Sequence, residues 1–321
     1  MSDKTKRYPM LPPGDVLYTV GILAERDSYN HRLMNIPHMW ERTRGSGVKV
    51  AILDTGVPKH ADLRPSGGCS AKGIDSGPAD REGHGTHVGG IVAALAGNGI
   101  GVTGIAPDAE DYYIKVLDDD GSGSIESVAD GIYKAVDKYG VDIINMSLGM
   151  PANAPRFREL EAACNYAVDK GVTVFAATGN DAAALGQPAI YDSVISVGAV
   201  DRRRRKARFS NRGTGIDFVA GGVDVYSTHL NNRYVSLSGT SMACPALAGA
   251  AALILSKHLA SGERLTPLEL KEHIRRIAFD LGSAGYDNLY GHGIPVFGPV
   301  TTHEKQANPL RRILSRFLGL W

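Results

Sequence analysis

Three residues of this chain have the types that acyl transfer needs. Asp54 ends the apolar run GVKVAIL at 47–53. His84 stands in GHGTH at 83–87, just ahead of small apolar residues, and Ser241 stands in GTS at the start of another apolar run. A serine hydroxyl is a weak nucleophile until a neighbouring imidazole takes its proton. A buried carboxylate then fixes the imidazole tautomer and stabilises the imidazolium. Taken singly, each residue has an ordinary explanation, as a turn aspartate after a strand or an N-cap serine. His84 and His87 are three apart and could be read as metal ligands, but the glutamate of HExxH is missing and His87 reads as internally packed. Only the three together point to chemistry. Ser241 also gains from the positive end of its helix, where charge develops on an oxyanion.

VAILDTG at 50–56, GHGTHVGG at 83–90 and SGTSMACP at 238–245 resemble the three signatures of the subtilisin family, in that family's order of Asp, His, Ser. The similarity runs from Ile36 to Val300 and includes INMSLG at 144–149, AATGN at 176–180 and AGAAALILSKH at 248–258. It implies a serine endopeptidase with a subtilisin-like three-layer α/β fold. It makes Asn180 the side-chain donor of an oxyanion hole, beside the Ser241 backbone N–H. DGSGS at 120–124 and SLGM at 147–150 become the two edge segments that clamp substrate as an added strand, with Gly121, Ser122, Gly123, Ser147, Leu148 and Gly149 in contact. The primary pocket is expected between Ser147 to Met150, Ala177, Thr178, Gly179 and Gly186. Its walls read as small or apolar without charge, so an apolar or aromatic P1 residue is expected. Pro188 sits where the family has a cis-proline.

GNGIGVTGIAP at 97–107 resembles the family's calcium loop. Hard Ca²⁺ takes oxygen ligands, here the side chains of Asp62 and Asn98 and the carbonyls of Ile100 and Val102, with Asp62 the one expected carboxylate. A weaker cation site would use carbonyls of Ala189 and Tyr191 plus Asp201. The chain departs from the family at Cys244, where a small residue is usual, at Ala246, where histidine is usual, and in a shorter segment between Asn180 and Pro188. Cys244 reads as a small buried residue rather than a nucleophile.

These residues need elements to hold them. GVKVAIL, DYYIKVL at 111–117, VDIINMSL at 141–148, VTVFAATGN at 172–180 and SVISVGAV at 193–200 read as strands. Residues 87–95, 124–140, 158–171, 241–258 and 266–278 read as helices. Near-continuously apolar strands alternating with helices give a central, mostly parallel sheet covered on both faces. In such sheets sites form beyond the carboxyl ends of strands, where Asp54 lies. The organisation expected is an N-terminal extension over 1–23, a catalytic domain over 24–300 and an amphipathic tail over 301–321.

Composition sets outer limits. The chain has 321 residues, 43% hydrophobic, with a formal net charge of +1, so no polyanionic partner is indicated. RRRRKAR at 202–208 lacks interleaved aromatics and reads as a solvated turn, without nucleic-acid binding. Three cysteines imply no disulfide framework and fit a reducing compartment. The first residues lack the apolar core of a secretory signal, and no stretch reads as a membrane span, so a cytoplasmic location is expected. On these grounds the chain is most similar to the intracellular subtilisins. That resemblance implies a homodimer, dependence on Ca²⁺ and a short inhibitory N-terminal extension, for which YPMLPP at 8–13 is the matching segment. NPLRRILSRFLGLW at 308–321 forms a cationic amphipathic pattern that suits packing in cis or against a second subunit; membrane contact is not expected. The alternatives are a dedicated leader-peptide or maturation protease, and a catalytically silent binding relative, against which the full triad and Asn180 argue.

Overall fold

The computed structural model describes residues 6–11, 19–20 and 25–298. The strands in chain order are β1 (Arg7–Pro9), β2 (Thr19–Val20), β3 (Arg26–Asp27), β4 (Lys49–Asp54), β5 (Gly67–Ser70), β6 (Val102–Thr103), β7 (Glu110–Lys115), β8 (Ser122–Ser124), β9 (Ile143–Met146), β10 (Thr173–Ala177), β11 (Val194–Val200), β12 (Phe218–Gly221), β13 (Val225–His229), β14 (Arg233–Leu237), β15 (Ala278–Phe279) and β16 (Ile294–Pro295). The helices are α1 (Tyr29–Leu33), α2 (Ile36–Trp40), α3 (His84–Ala93), α4 (Ile125–Tyr133), α5 (Arg158–Asp169), α6 (Thr240–Ala260) and α7 (Pro267–Ile277). The tail pattern at 308–321 lies outside the described residues.

Seven strands form one parallel sheet in the order β12-β11-β10-β9-β4-β7-β5. Both faces are buried, and the strand residues divide between them with period two. Val50 and Ile52 of β4 and Phe175 of β10 join the core that holds α3 and α6. Ala51, Leu53, Val174 and Ala176 join the core that holds α4 and α5. This is the three-layer α/β architecture that the apolar runs imply.

Two local differences are seen. The helix expected over 124–140 is α4 followed by a wider π-helical turn at Lys134–Lys138. The expectation that no stretch approaches membrane-spanning length fails for α6, whose 21 residues are long and apolar enough by composition. Of its most apolar window, 83% is buried inside the protein. A helix apolar on all sides is the central helix of this core.

α3 is threaded between the sheet and the β13–β14 hairpin. Ser227 Oγ and Thr228 Oγ1 of β13 donate to the carbonyls of His87 and Thr86, at 2.8 and 2.7 Å. A methyl group on Gly90 would overlap both hydroxyl oxygens, and one on Gly89 would overlap the Tyr113 hydroxyl. Gly90→Ala is therefore expected to destabilise the fold by about 1–3 kcal/mol through overpacking. Calorimetry should show a lower Tm, and an unchanged Tm would contradict this account of the helix.

Candidate active site

Asp54 is the last residue of β4, at the carboxyl edge of the sheet, and is fully buried. Its Oδ1 accepts from the Thr55 N–H at 2.8 Å, and His84 Nδ1 lies 2.8 and 3.0 Å from its two oxygens. His84 is the first residue of α3, and the loop before it is fixed by Asp80. That carboxylate accepts from Thr55 Oγ1, from the N–H groups of Glu82, Gly83 and Thr86, and from Thr86 Oγ1. Thr55 Oγ1 in turn accepts from the Gly85 N–H at 2.8 Å. Lys115, opposite Asp54 in the β4–β7 register, is buried and donates to the Thr55 carbonyl and to Asp119. The strand end and the helix start are thus one hydrogen-bonded unit.

Charge around His84 is one-sided. Burial alone would favour the neutral ring, but the charge and hydrogen bond of Asp54, with Glu82 and Asp80 behind, hold the imidazole above its ordinary value. Glu82 accepts from the His84 backbone N–H at 2.6 Å, and burial raises its own carboxyl. His87, one turn on, is fully buried and faces the carbonyls of Val225 and Val235. Burial lowers its pKa to about 3, so it is a neutral packing residue.

Ser241 lies in the first turn of α6. Its hydroxyl donates to the Ser147 carbonyl at 3.1 Å, and the Ser147 hydroxyl donates back to the Ser241 carbonyl at 2.8 Å. His84 Nε2 is buried with no hydrogen-bond partner among the described residues. The serine–imidazole hydrogen bond is therefore not made in this arrangement; such contacts often tighten only with substrate in place. Pro245 explains the return bond. A proline cannot donate to the carbonyl four residues earlier, which frees the Ser241 carbonyl for Ser147. The reading of the sequence missed this role, although a proline four residues after the serine is its visible signal.

Asn180 follows β10. Its Oδ1 accepts from the Thr240 N–H at 2.9 Å and from Thr240 Oγ1 at 3.0 Å, which turns the amide nitrogen the other way. A Cβ built on Gly239 would stand 3.3 Å from Asn180 Nδ2 and 3.6 Å from the Ser241 nitrogen. The space beside Gly239 is thus bordered by two donors, and a side chain there would fill it.

The cleft beside Ser241 has a volume of about 220 Å³, and its walls include Leu148, Gly149, Met150, Ala177, Thr178, Gly179 and Gly186. The Gln187–Pro188 bond is cis. Met150 and Gln187 exchange backbone hydrogen bonds that join the two walls. The expectation of uncharged walls needs one correction, since exposed Asp181 lies at the rim. Residues of the arm also line the cleft. β1 runs antiparallel to β8 with Tyr8 opposite Gly123, Met10 N–H donates to Gly121 O, and Gly149 N–H donates to Met10 O at 3.1 Å. Met10 is buried, and the Tyr8 ring meets Phe157 edge-on at 5.6 Å.

The loop at 97–103 folds over Asp62, which is fully buried. Its carboxylate accepts from Asn98 Nδ2, the Val102 N–H and the Tyr234 hydroxyl, at 2.6, 3.0 and 3.2 Å. Ile100 N–H donates to Asn98 Oδ1. Asp62 is not the only carboxylate here. Glu25 accepts from Gly97 N–H, Gly99 N–H and Thr103 Oγ1, a contact between distant segments that no local spacing reveals. Burial raises the Asp62 carboxyl, and the Glu25 charge adds to the effect. Two carboxylates and an amide oxygen are the donor types a hard cation takes, and in this arrangement each is occupied by N–H or O–H groups of the protein rather than by a guanidinium. The weaker site fits poorly, because the Asp201 carboxylate is already taken by the Arg205 guanidinium and the N–H groups of Arg203 and Arg205. Cys244 is buried against Met146 O, and burial pushes its thiol well up, which makes it a poor nucleophile. In the basic run, Arg202 lies over Tyr29, Arg204 over Phe279, and Arg205 pairs with Asp201.

Comparison with known proteins identifies the family. The subtilase family matches residues 45–293. Subtilisin BL of Lederbergia lenta is 45% identical over 251 residues, 78% of this chain and 89% of its own length. An alkaline protease of Alkalihalobacillus alcalophilus is also 45% identical over 251 residues, but this chain spans only 63% of that protein's length. A thermostable alkaline protease of Halalkalibacterium halodurans is 45% identical over 258 residues, 80% of this chain and 68% of its own. Subtilisin loses about 10²–10³ in kcat when one side-chain donor of its hole is removed. Asn180→Ala is expected to do the same here, with KM little changed, and Gly239→Ala should also lower kcat by placing a methyl group against Asn180 Nδ2 and the Ser241 nitrogen. Steady-state kinetics at a fixed pH check both, and a wild-type kcat in either variant would contradict the assignment.

Proposed function

This chain belongs to the subtilase family and is a serine endopeptidase, and we propose that it works through an acyl-enzyme and is made as an intracellular zymogen. The observation that carries the proposal is the Asp54–His84 couple together with Asn180 Nδ2 and the Ser241 nitrogen, which both border the position beside Gly239. Substrate would enter as an added strand between Ser122 and Gly149, with its carbonyl oxygen beside Gly239. Ser241 Oγ leaves the Ser147 carbonyl, attacks the substrate carbonyl carbon and passes its proton to His84 Nε2. The Nδ1 proton stays on the ring and is donated to Asp54, whose charge stabilises the imidazolium. The oxyanion accepts from Asn180 and the Ser241 N–H, then collapses as His84 protonates the leaving amine. Water repeats the sequence in reverse and frees the enzyme. Leu148, Met150 and Ala177 suit an apolar or aromatic P1 residue.

The arm supports the zymogen reading. It already holds the strand position that substrate needs, and its tether supplies a high local concentration. Pro9 fixes its φ, which reduces the entropy lost on docking. Three free thiols suit a cytoplasmic setting, and a homodimer belongs to the same reading, checked by sedimentation. Fluorophosphonate should label the wild type after its arm is cut, and casein should then be degraded. Uncut chain should be slow, and Ser241→Ala should show neither labelling nor cleavage. Labelling without casein cleavage would instead favour a dedicated maturation protease, and full activity in demonstrably uncut chain would overturn the zymogen reading.

Calcium belongs to the proposal through Asp62, Glu25, Asn98 and the carbonyls of Ile100 and Val102. The ion would neutralise the carboxylate pair and hold the loop at 97–103. A ligand bound only by the folded state raises stability by mass action. Chelation is therefore expected to lower Tm, with recovery on adding Ca²⁺ and a weaker response in Asp62→Asn. Identical melting curves with and without chelator would remove calcium from the account.

A further inference from the structure

Beyond the triad and the primary pocket, the fullest set of side-chain contacts at the cleft belongs to the arm's Arg7. In β1, Arg7 stands opposite Ser124 of β8. Its guanidinium uses three donor directions at once. One terminal nitrogen meets Asp118 Oδ2 at 2.7 Å, the other donates to the Ser122 carbonyl at 2.8 Å, and Nε donates to Ser122 Oγ at 3.2 Å.

The acceptors are fixed by the catalytic domain and not by the arm. Ser76 Oγ donates to Asp118 Oδ1 at 2.5 Å, which leaves Oδ2 for the guanidinium. The Ser122 hydroxyl and N–H both donate to Asp120 Oδ1, at 2.7 and 2.9 Å, which aims the hydroxyl's lone pairs away from Asp120. Asp119, between them in sequence, is committed to Lys115 and Arg81. Among the described residues, Asp118 and Asp120 have no other cationic partner. The rim therefore presents a carboxylate, a carbonyl and an oriented hydroxyl arranged around one planar fork.

We propose that Asp118, Ser122 and Asp120 form a distal subsite for a guanidinium, so that the enzyme favours extended polypeptides carrying arginine at the position Arg7 now takes. This rests on the reading of the arm as an occupant of the substrate cleft. Lysine keeps the charge contact with Asp118 but cannot meet Ser122 O and Oγ in the same plane. The pair is partly exposed, with Arg7 38% and Asp118 25% accessible, so the selectivity is several-fold and weakens with salt. The arm reaches Leu11 while still lining the cleft, which puts the arginine four or more residues ahead of the cleaved bond.

The test walks a single arginine along quenched peptides that are otherwise uncharged, with active enzyme counted by fluorophosphonate titration. At one position, four or more residues before the cleaved bond, arginine should raise kcat/KM about 3–10-fold over norleucine, with lysine between them. In Asp118→Asn that ratio should fall to about one, and in Ser122→Ala the arginine-over-lysine margin should shrink. No preferred position in the wild type, or a preference that persists in Asp118→Asn, overturns the subsite. The arm reading fails separately. If the arm fills the cleft, uncut Arg7→Ala should hydrolyse the arginine-free peptide faster than uncut wild type. Equal rates would overturn that reading, while the arginine ratio within each variant still decides the subsite.

Discussion

The site depends on a hydrogen bond that one proline makes available. Pro245 lacks the N–H that would have bonded the Ser241 carbonyl within α6, and that carbonyl accepts from Ser147 instead. An unmet buried carbonyl would cost about 1–3 kcal/mol, so the bond is strongly favoured. It couples the start of the nucleophile's helix to the strand end that forms one wall of the cleft. Nucleophile and wall therefore move together. The Asn180 amide is added to the same unit through Thr240, the residue just before the serine.

A second unit stands opposite and is electrostatic. The charges of Asp54, Glu82 and Asp80 all act on a single imidazole, and of the three only Asp54 hydrogen-bonds to the ring. Two of the carboxylates have fixed structural duties: Asp80 gathers five donors from the 55 and 82–86 segments, and Asp54 holds Nδ1. Lys115 lies beneath Thr55 and keeps the cluster from being wholly anionic. Such clustering makes a proton on His84 easy to accept, which is what a base at this position needs. The two units meet across the cleft without a serine–imidazole hydrogen bond, so the substrate strand between them is what would bring them into register.

Much of this could be read from the sequence, for identifiable reasons. The parallel strands showed as continuous apolar runs because both faces of the sheet are covered. Asp54, His84 and Ser241 showed because each follows or opens such a run. The β13–β14 hairpin did not show. Its Ser227 and Thr228 are buried polar residues whose partners are carbonyls of α3, so no apolar alternation marks the strand. α1 and α2 are five residues each, too short to display a helical period. Glu25 and Arg7 act through contacts with segments more than seventy residues away, which spacing cannot reveal. Arg205 spoils the Asp201 site from only four residues off, yet only the turn geometry brings its guanidinium onto the carboxylate.

The arm has one more consequence, which concerns the open edge of a sheet. β8 pairs with β1 and with no other described strand, and Gly149 N–H has Met10 O as its acceptor. Without the arm these backbone groups form a bare row of donors and acceptors, the kind of template on which other chains assemble. A protease must keep such an edge in order to work, so it carries a standing risk of non-specific association. Covering the edge with β1 removes that template from the surface. On a bare edge of this kind, a substrate strand and an unwanted neighbour would compete for the same backbone groups.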